Sequence, residues 1–123
     1  MMAPQDERDP NCIFCRIVAK EIPAKIVYED DAALVFHDIR PQAEVHLLAI
    51  PKRHIPSTKE LTENDVTLIG QVMVAATKAA LALGLTEGWR TIINTGAIGR
   101  QEVMHLHVHI LGGSKPLPAM IKW

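Results

Sequence analysis

Six histidines stand in this chain, and three of them share one seven-residue run, His105-Leu106-His107-Val108-His109-Ile110-Leu111. Alternation over such a run predicts a strand. Its three imidazoles would share one face, with Leu106, Val108 and Ile110 in the core on the other. Alternate residues lie about 6.6 Å apart along a strand, so His105 and His109 are about 13 Å apart. One tetrahedral ion takes at most an adjacent pair, and the rest must do other work. Imidazole titrates near neutrality and serves as nucleophile, general acid or donor to an oxyanion. Beside the Gly-rich stretch Asn94 to Gln101, such a row suits phosphate chemistry. A row devoted to metal alone is the competing reading.

Cys12-x-x-Cys15 offers half of a second constellation. A structural zinc needs four N/S ligands, and His54 with one end of the histidine row are candidates to complete the set. A redox pair and two inert buried thiols are the alternatives. A redox motif of this kind would follow a strand, and nothing strand-like precedes Cys12.

These groups need elements to position them. Residues 1–11 read as a flexible polar tail, and Cys12 to Ala19 as a short apolar helix or turn stopped before Pro23. Lys25–Tyr28 and Ala33–His37 read as strands rich in β-branched and aromatic residues. His46-Leu47-Leu48-Ala49-Ile50, closed by Pro51, reads as a strand buried on both faces. Pro56-Ser57-Thr58 opens a helical connection. Thr62 to Leu83 predicts one long helix, with Thr62 as N-cap, Glu63 and Asp65 in the first turn, and Gly84 as the stop. Two apolar stripes run along it. One is Val66, Ile69, Met73, Ala76, Ala80 and Leu83; the other is Leu68, Val72, Ala75, Ala79 and Ala82. A one-sided surface helix needs a single stripe, so burial on two sides is expected, against the sheet and against a second subunit, with a central helix in a monomer as the alternative. Arg90–Ile93 is a further strand and His105–Leu111 the last. Strands flank one long helix without regular βαβ alternation, which predicts an α+β fold with a mainly antiparallel sheet.

The composition agrees. A chain of 123 residues, 48% hydrophobic and 22% charged, fits one globular domain. The formal net charge is −1 and no Lys/Arg block stands out, so neither nucleic acid nor an anionic membrane is the expected partner. The first ten residues hold no apolar signal region, and no uninterrupted apolar run approaches the ~20 residues of a membrane span. Two cysteines are no secreted disulfide framework, and a reducing cytoplasm is the expected setting.

The run His105 to Leu111 resembles the signature of the histidine triad (HIT) family, His-φ-His-φ-His-φ-φ. The likeness extends over Cys12 to Gly113 through CIFCRIVAKEIPAKIVYEDD, FHDIRPQAEVHLLAIPKRHI, Asn94 with Gly96, and QEVMHLHVHILGG. It is most specific toward the Hint-type nucleoside phosphoramidases, bacterial members above all. The resemblance implies a HIT domain over 12–113 with a C-terminal tail over 114–123. Its fold would be a five-stranded, mainly antiparallel sheet with one long and one short helix, dimerising through the long helix and a strand.

It also implies the chemistry. His107 would attack the α-phosphorus of a purine nucleoside phosphoramidate, such as AMP-NH2 or AMP-lysine, expel the amine, and release AMP by hydrolysis of a nucleotidyl-histidine. His109 would hold a phosphate oxygen and His46 would orient or relay protons. Gln101, Glu102 and Val103 would reach the phosphate, Asn94 the sugar and phosphate side, and Asp38 the ribose hydroxyls. Ile13, Phe14, Ile17, Ile22, Phe36 and Ile39 would form the purine slot. By the same likeness, zinc would be held by Cys12, Cys15, His54 and His105 and would be structural, not required for catalysis. Arg100 departs from the branch, which carries glycine there; Glu102 replaces a serine of some members. Trp123 lies in a tail that in dimeric relatives reaches the partner's site. Two other functions share the fold. A dinucleoside polyphosphate hydrolase is disfavoured by FHDIRPQ and IPKRHI. A nucleotide-binding regulatory protein with incidental hydrolysis is disfavoured by the intact nucleophile and its neighbours.

Overall fold

A computed structural model describes residues 8–121. Five strands form one antiparallel sheet in the order β1-β2-β3-β5-β4, with β1 at Ile26–Glu29, β2 at Ala33–His37, β3 at Val45–Pro51, β4 at Arg90–Ile92 and β5 at Val108–Gly112. The short helix α1 spans Ile13–Val18 and the long helix α2 spans Val66–Ala82. The α+β expectation therefore holds.

The register explains how the sheet serves two cores. Phe36 pairs with Leu48, and Leu48 with His109. Side chains alternate across a strand, so Leu34, Phe36, His46, Leu48, Ile50 and His109 share one face. Val35, Leu47, Ala49, Val108 and Ile110 share the other. The first face packs against Phe14, Cys12, Cys15 and Ile17 of the α1 region. The second packs against Val72, Ala75, Ala76, Ala79 and Ala80 of α2. Alanines on that side of α2 let it lie close to the sheet.

Both helix ends are built from local chemistry. Lys20 adopts φ +65 after α1, where its N–H donates to Ile17 O while Glu21 N–H donates to Arg16 O. This left-handed stop satisfies the last carbonyls without a glycine. Gly84, at φ +85, stops α2, and the Leu85 N–H reaches back to Ala80 O.

Three expectations need correction. The long helix does not begin at Thr62: a 3-10 turn, Glu63–Asp65, comes first. The Asp65 carboxylate accepts from the Thr62 N–H and pairs with Arg53, and this box tightens the first turn. The last strand begins at Val108, not His105. His105 is drawn off the ladder because its ring serves Pro51 O and its neighbours instead. Residues 9–11 are not a loose tail, since Cys12 N–H donates to Asp9 O and Asn11 N–H to the Asp9 carboxylate; the rest of the predicted tail, residues 1–7, lies outside the described residues.

By composition alone, Glu63–Ala82 is long and apolar enough to cross a bilayer, with a mean hydropathy of 1.3. Here its alanine side is spent on the sheet. Both expected stripes fall on that one side, Ala76 and Ala80 of the first and Val72, Ala75 and Ala79 of the second, so they merge into a single wide face against the sheet; of the exposed apolar residues Val66, Val74 and Leu81, the last two lie on the far side and belong to neither stripe.

Candidate active site

His107, the residue before β5, and His109, near the start of β5, project onto the α1 face. Their ring centroids are 5.0 Å apart. His107 is buried, and its Nδ1 lies 2.8 Å from the His105 carbonyl. A carbonyl only accepts, so Nδ1 carries the proton and donates. Nε2 of neutral His107 is therefore left as a lone pair, which is the form a nucleophile needs.

A second chain of hydrogen bonds fixes His109. The Gln42 N–H donates to His46 Nδ1 over 3.0 Å. His46 must then carry its proton on Nε2, which lies 2.9 Å from His109 Nδ1 and donates to it. Neutral His109 in turn keeps its proton on Nε2, on the side away from His46. Burial, with His107 and His46 nearby, lowers the His109 pKa to about 4, so near neutrality it is an uncharged hydrogen-bond donor. His46 is shifted down in the same direction, first by burial. Asp38 lies 3.5 Å from His46 Nε2 and opposes that shift. Its other oxygen accepts from the Arg40 N–H.

Asp38, His46 and His109 bring ligand atoms within 4.8 Å of one another. The donor from Gln42 argues against a metal there. An ion on His46 Nε2 would force the ring proton onto Nδ1, directly against the Gln42 N–H. What joins His46 to His109 is a ring proton.

Cys12, Cys15, His54 and His105 form the other cluster. Cys12 Sγ is 3.3 Å from His105 Nδ1, Cys15 Sγ 3.2 Å from His54 Nδ1 and 3.6 Å from His105 Nδ1, and the two Nδ1 atoms are 3.2 Å apart. Tetrahedral zinc with Zn–N of about 2.0–2.1 Å and Zn–S of about 2.3 Å needs ligand separations of about 3.3–3.8 Å. The set fits with little adjustment. His105 Nε2 donates to Pro51 O over 2.8 Å, leaving Nδ1 unprotonated toward the cluster, as a ligand requires. Backbone N–H groups of Cys15 and Asp9 donate to Cys12 Sγ and Cys15 Sγ. Burial, with Cys12 adjacent, pushes the Cys15 thiol up to about 11, a cost that a divalent cation on the sulfur would offset. A cavity of about 240 Å³ between the residue 8–10 turn and α1 borders Cys15 and contains none of the histidines.

The Gly-rich loop is held by Gln101. Its amide donates to Pro56 O and Val103 O, and its carbonyl oxygen accepts from the Gly96 N–H. The side chain expected to donate to phosphate is thus engaged inside the protein, and Gln101 shapes the loop instead. Asn94 likewise donates to Gly99 O. Gly99 is compulsory: a Cβ there would lie 2.5 Å from Thr95 O. Arg100 adopts φ +64, which accounts for the glycine expected at this position. Glu102 is exposed and Val103 packs on the α1-side core.

The purine-slot residues separate into two groups. Phe14, Ile17 and Phe36 are buried and Ile22 is half-buried, whereas Ile13 and Ile39 are exposed, Ile39 at 89%. The first group is a floor; only the second presents free apolar surface. Trp123 lies outside the described residues. Two partners escaped the sequence reading, the Gln42 N–H and the Pro51 carbonyl, because backbone groups leave no residue-type signal. His37, half-buried at the end of β2 beside Asp38, was the one histidine given no role.

Comparison with known proteins agrees with this geometry. Residues 11–122 match the family model described as the scavenger mRNA decapping enzyme C-terminal binding region. The chain is 52% identical over 102 residues to Protein HitA of Neisseria gonorrhoeae, covering 83% of this chain and 95% of that one. It is also 52% identical over 101 residues to a HIT-like protein of Synechococcus elongatus, covering 82% and 89%. A histidine triad protein from Clostridium difficile superposes with a TM-score of 0.87 at 41% identity, over 93% of this chain and 99% of that one. A HIT family hydrolase from Legionella pneumophila gives a TM-score of 0.82 at 46% identity, over 85% and 95%. With these matches, and with the last histidine of its run paired between Leu48 of β3 and Ile92 of β4, the chain belongs to the histidine triad family.

Proposed function

We propose that this HIT protein is a hydrolase of purine nucleoside phosphoramidates. The observation that carries the reading is the His107 ring, held by its Nδ1–H so that Nε2 is a free lone pair beside a neutral donor. In the proposed reaction Nε2 attacks the α-phosphorus, the P–N bond breaks with its electron pair and a proton from solvent water passing to the departing nitrogen, so that it leaves as the amine, and a nucleotidyl-histidine forms. Water then attacks the same phosphorus and AMP leaves. Dividing one displacement into two lowers each barrier. His109 Nε2–H donates to a phosphate oxygen as charge builds, and the relay from Gln42 through His46 keeps that proton in place. Asp38 offers the ribose a carboxylate, and Ile13 and Ile39 offer the base an apolar edge. Resemblance to proteins named HIT family hydrolases supports the hydrolytic class.

The test is to quench a reaction with an AMP-amine substrate and locate the adduct by mass spectrometry. The expected site is His107, and His107→Ala should lose turnover while still binding AMP. An adduct elsewhere, or turnover by the variant, would overturn the assignment.

Zinc is proposed for the cluster of Cys12, Cys15, His54 and His105. When bound, it would cross-link α1 to the segments before α2 and β5. Elemental analysis of protein purified without chelator should find about one zinc per chain; a metal-free product would return the cysteines to inert thiols. A reducing cytoplasm suits such thiolates, and we propose it as the setting; oxidised Cys12 and Cys15 in protein isolated from cells would argue against it.

A further inference from the structure

Phe14 sits between the two halves of this molecule's chemistry. It lies on α1 between Cys12, the helix N-cap, and Cys15. Its ring is buried and meets three others edge-on. The centroid distances are 5.2 Å to His107, 5.8 Å to His105 and 5.7 Å to Phe36. The interplanar angle to His107 is 85°, close to the perpendicular arrangement in which an aromatic edge meets a π face. His107 thus has two supports. One is the hydrogen bond from its Nδ1 to the His105 carbonyl, which fixes the tautomer. The other is the Phe14 ring, which restricts rotation of the imidazole about its side-chain bonds.

Both supports trace back to the same four residues. The carbonyl belongs to His105, whose ring is anchored to Pro51 O and faces Cys12 and Cys15. Phe14 is carried by the turn of helix that those two cysteines bracket. A helix of six residues does not hold itself in place by backbone hydrogen bonds alone. Its position depends on what its side chains grip, and the cysteine side grips the cluster.

We propose that Phe14 is a positioning residue for the reaction, coupling order in the Cys12–Cys15–His54–His105 cluster to the aim of His107. The inference rests on the reading of His107 as nucleophile and of the cluster as a metal site. It adds that the cluster, while supplying no chemistry to the substrate, sets the rate through Phe14. Misplacing a nucleophile by about 1 Å costs on the order of a hundredfold in rate, so small loosening of α1 is enough.

The test reads His107 without any substrate, so it stands apart from the adduct experiment. Long-range ¹H–¹⁵N spectra of histidine-labelled, zinc-loaded protein should show His107 as one sharp Nδ1–H tautomer. Removing zinc with a chelator should broaden that signal or mix the tautomers. Chelation could instead unfold the chain, so Phe14→Leu in the zinc-loaded protein is the second arm. That variant should keep its zinc and its far-ultraviolet circular dichroism, yet show the same broadening. Its kcat on the AMP-amine should fall about ten- to a hundredfold, with a smaller change in KM. An unchanged His107 signal in Phe14→Leu would overturn the proposal, as would a change confined to KM, which would make Phe14 part of the base site alone.

Discussion

In the proposed reaction His107 is made reactive from behind. Its far nitrogen is occupied by a peptide carbonyl two residues away, and the near one is left with its lone pair. His109 is set the opposite way, as a donor, by a chain of hydrogen bonds that starts at a backbone amide. Two identical side chains two residues apart thus acquire different jobs from their partners, not from their own chemistry. Arg100 shows the same dependence of residue on backbone. Its φ of +64 is a region that L side chains enter at a cost of about 1–2 kcal/mol. Glycine pays less there but has a more flexible unfolded chain to order. Arg100→Gly should therefore raise stability by up to about 1 kcal/mol, read as a higher denaturation midpoint in urea. A lower midpoint would mean that the arginine side chain holds the loop by contacts worth more than the strain.

At the scale of elements, α2 offers the sharpest expectation. Its alanine side packs on the sheet, while Val66, Val74 and Leu81 face outward. At the opposite rim of the sheet from β1, the three-residue β4 leaves one backbone edge without a partner strand among the described residues. An uncovered apolar helix face and an open sheet edge together fit a second copy of the chain, which we propose as the partner. Leu81 is half-exposed, so Leu81→Glu should leave the monomer fold intact while shifting sedimentation from dimer to monomer. A wild-type chain that sediments as a monomer at micromolar concentration would end this reading. All five strands and the cysteine-bearing helix were visible in the sequence, whereas the two stripes read on α2 proved to be one wide sheet-facing side, with Val74 and Leu81 outside both. The misplaced boundaries share one cause. The 3-10 turn before α2 and the late start of β5 were both decided by side chains reaching distant partners, Asp65 to Arg53 and His105 to Pro51. Periodicity has no access to such contacts. Gln101 belongs with them: the resemblance offers it as a donor to phosphate, and only the fold shows that Pro56 and Val103 receive its side-chain amide.

For the molecule as a whole, burying these imidazoles links folding to pH. The His109 pKa falls from an ordinary 6.5 to about 4 in the folded chain, because burial and its histidine neighbours penalise the charged ring. Between those values the unfolded chain binds a proton that the folded chain does not, so unfolding free energy rises with pH across that interval. The contribution is complete above about pH 6.5 and is lost as the pH falls through about 4. His46 adds a shift of the same sign. The carboxylates of Glu29, Asp30, Glu44 and Asp65 are all held below their ordinary range, so their losses begin lower. A window between roughly pH 6.5 and 5 therefore isolates the histidines. In zinc-loaded protein, where His105 would be committed to the metal, the melting temperature should be level above this window and decline within it. His109→Asn should flatten the decline, because asparagine has no proton to gain. An equally steep fall in that variant would place the acid sensitivity outside the relay. His109 would then be an exposed, freely titrating ring, and its assignment as a neutral donor to phosphate would go with it.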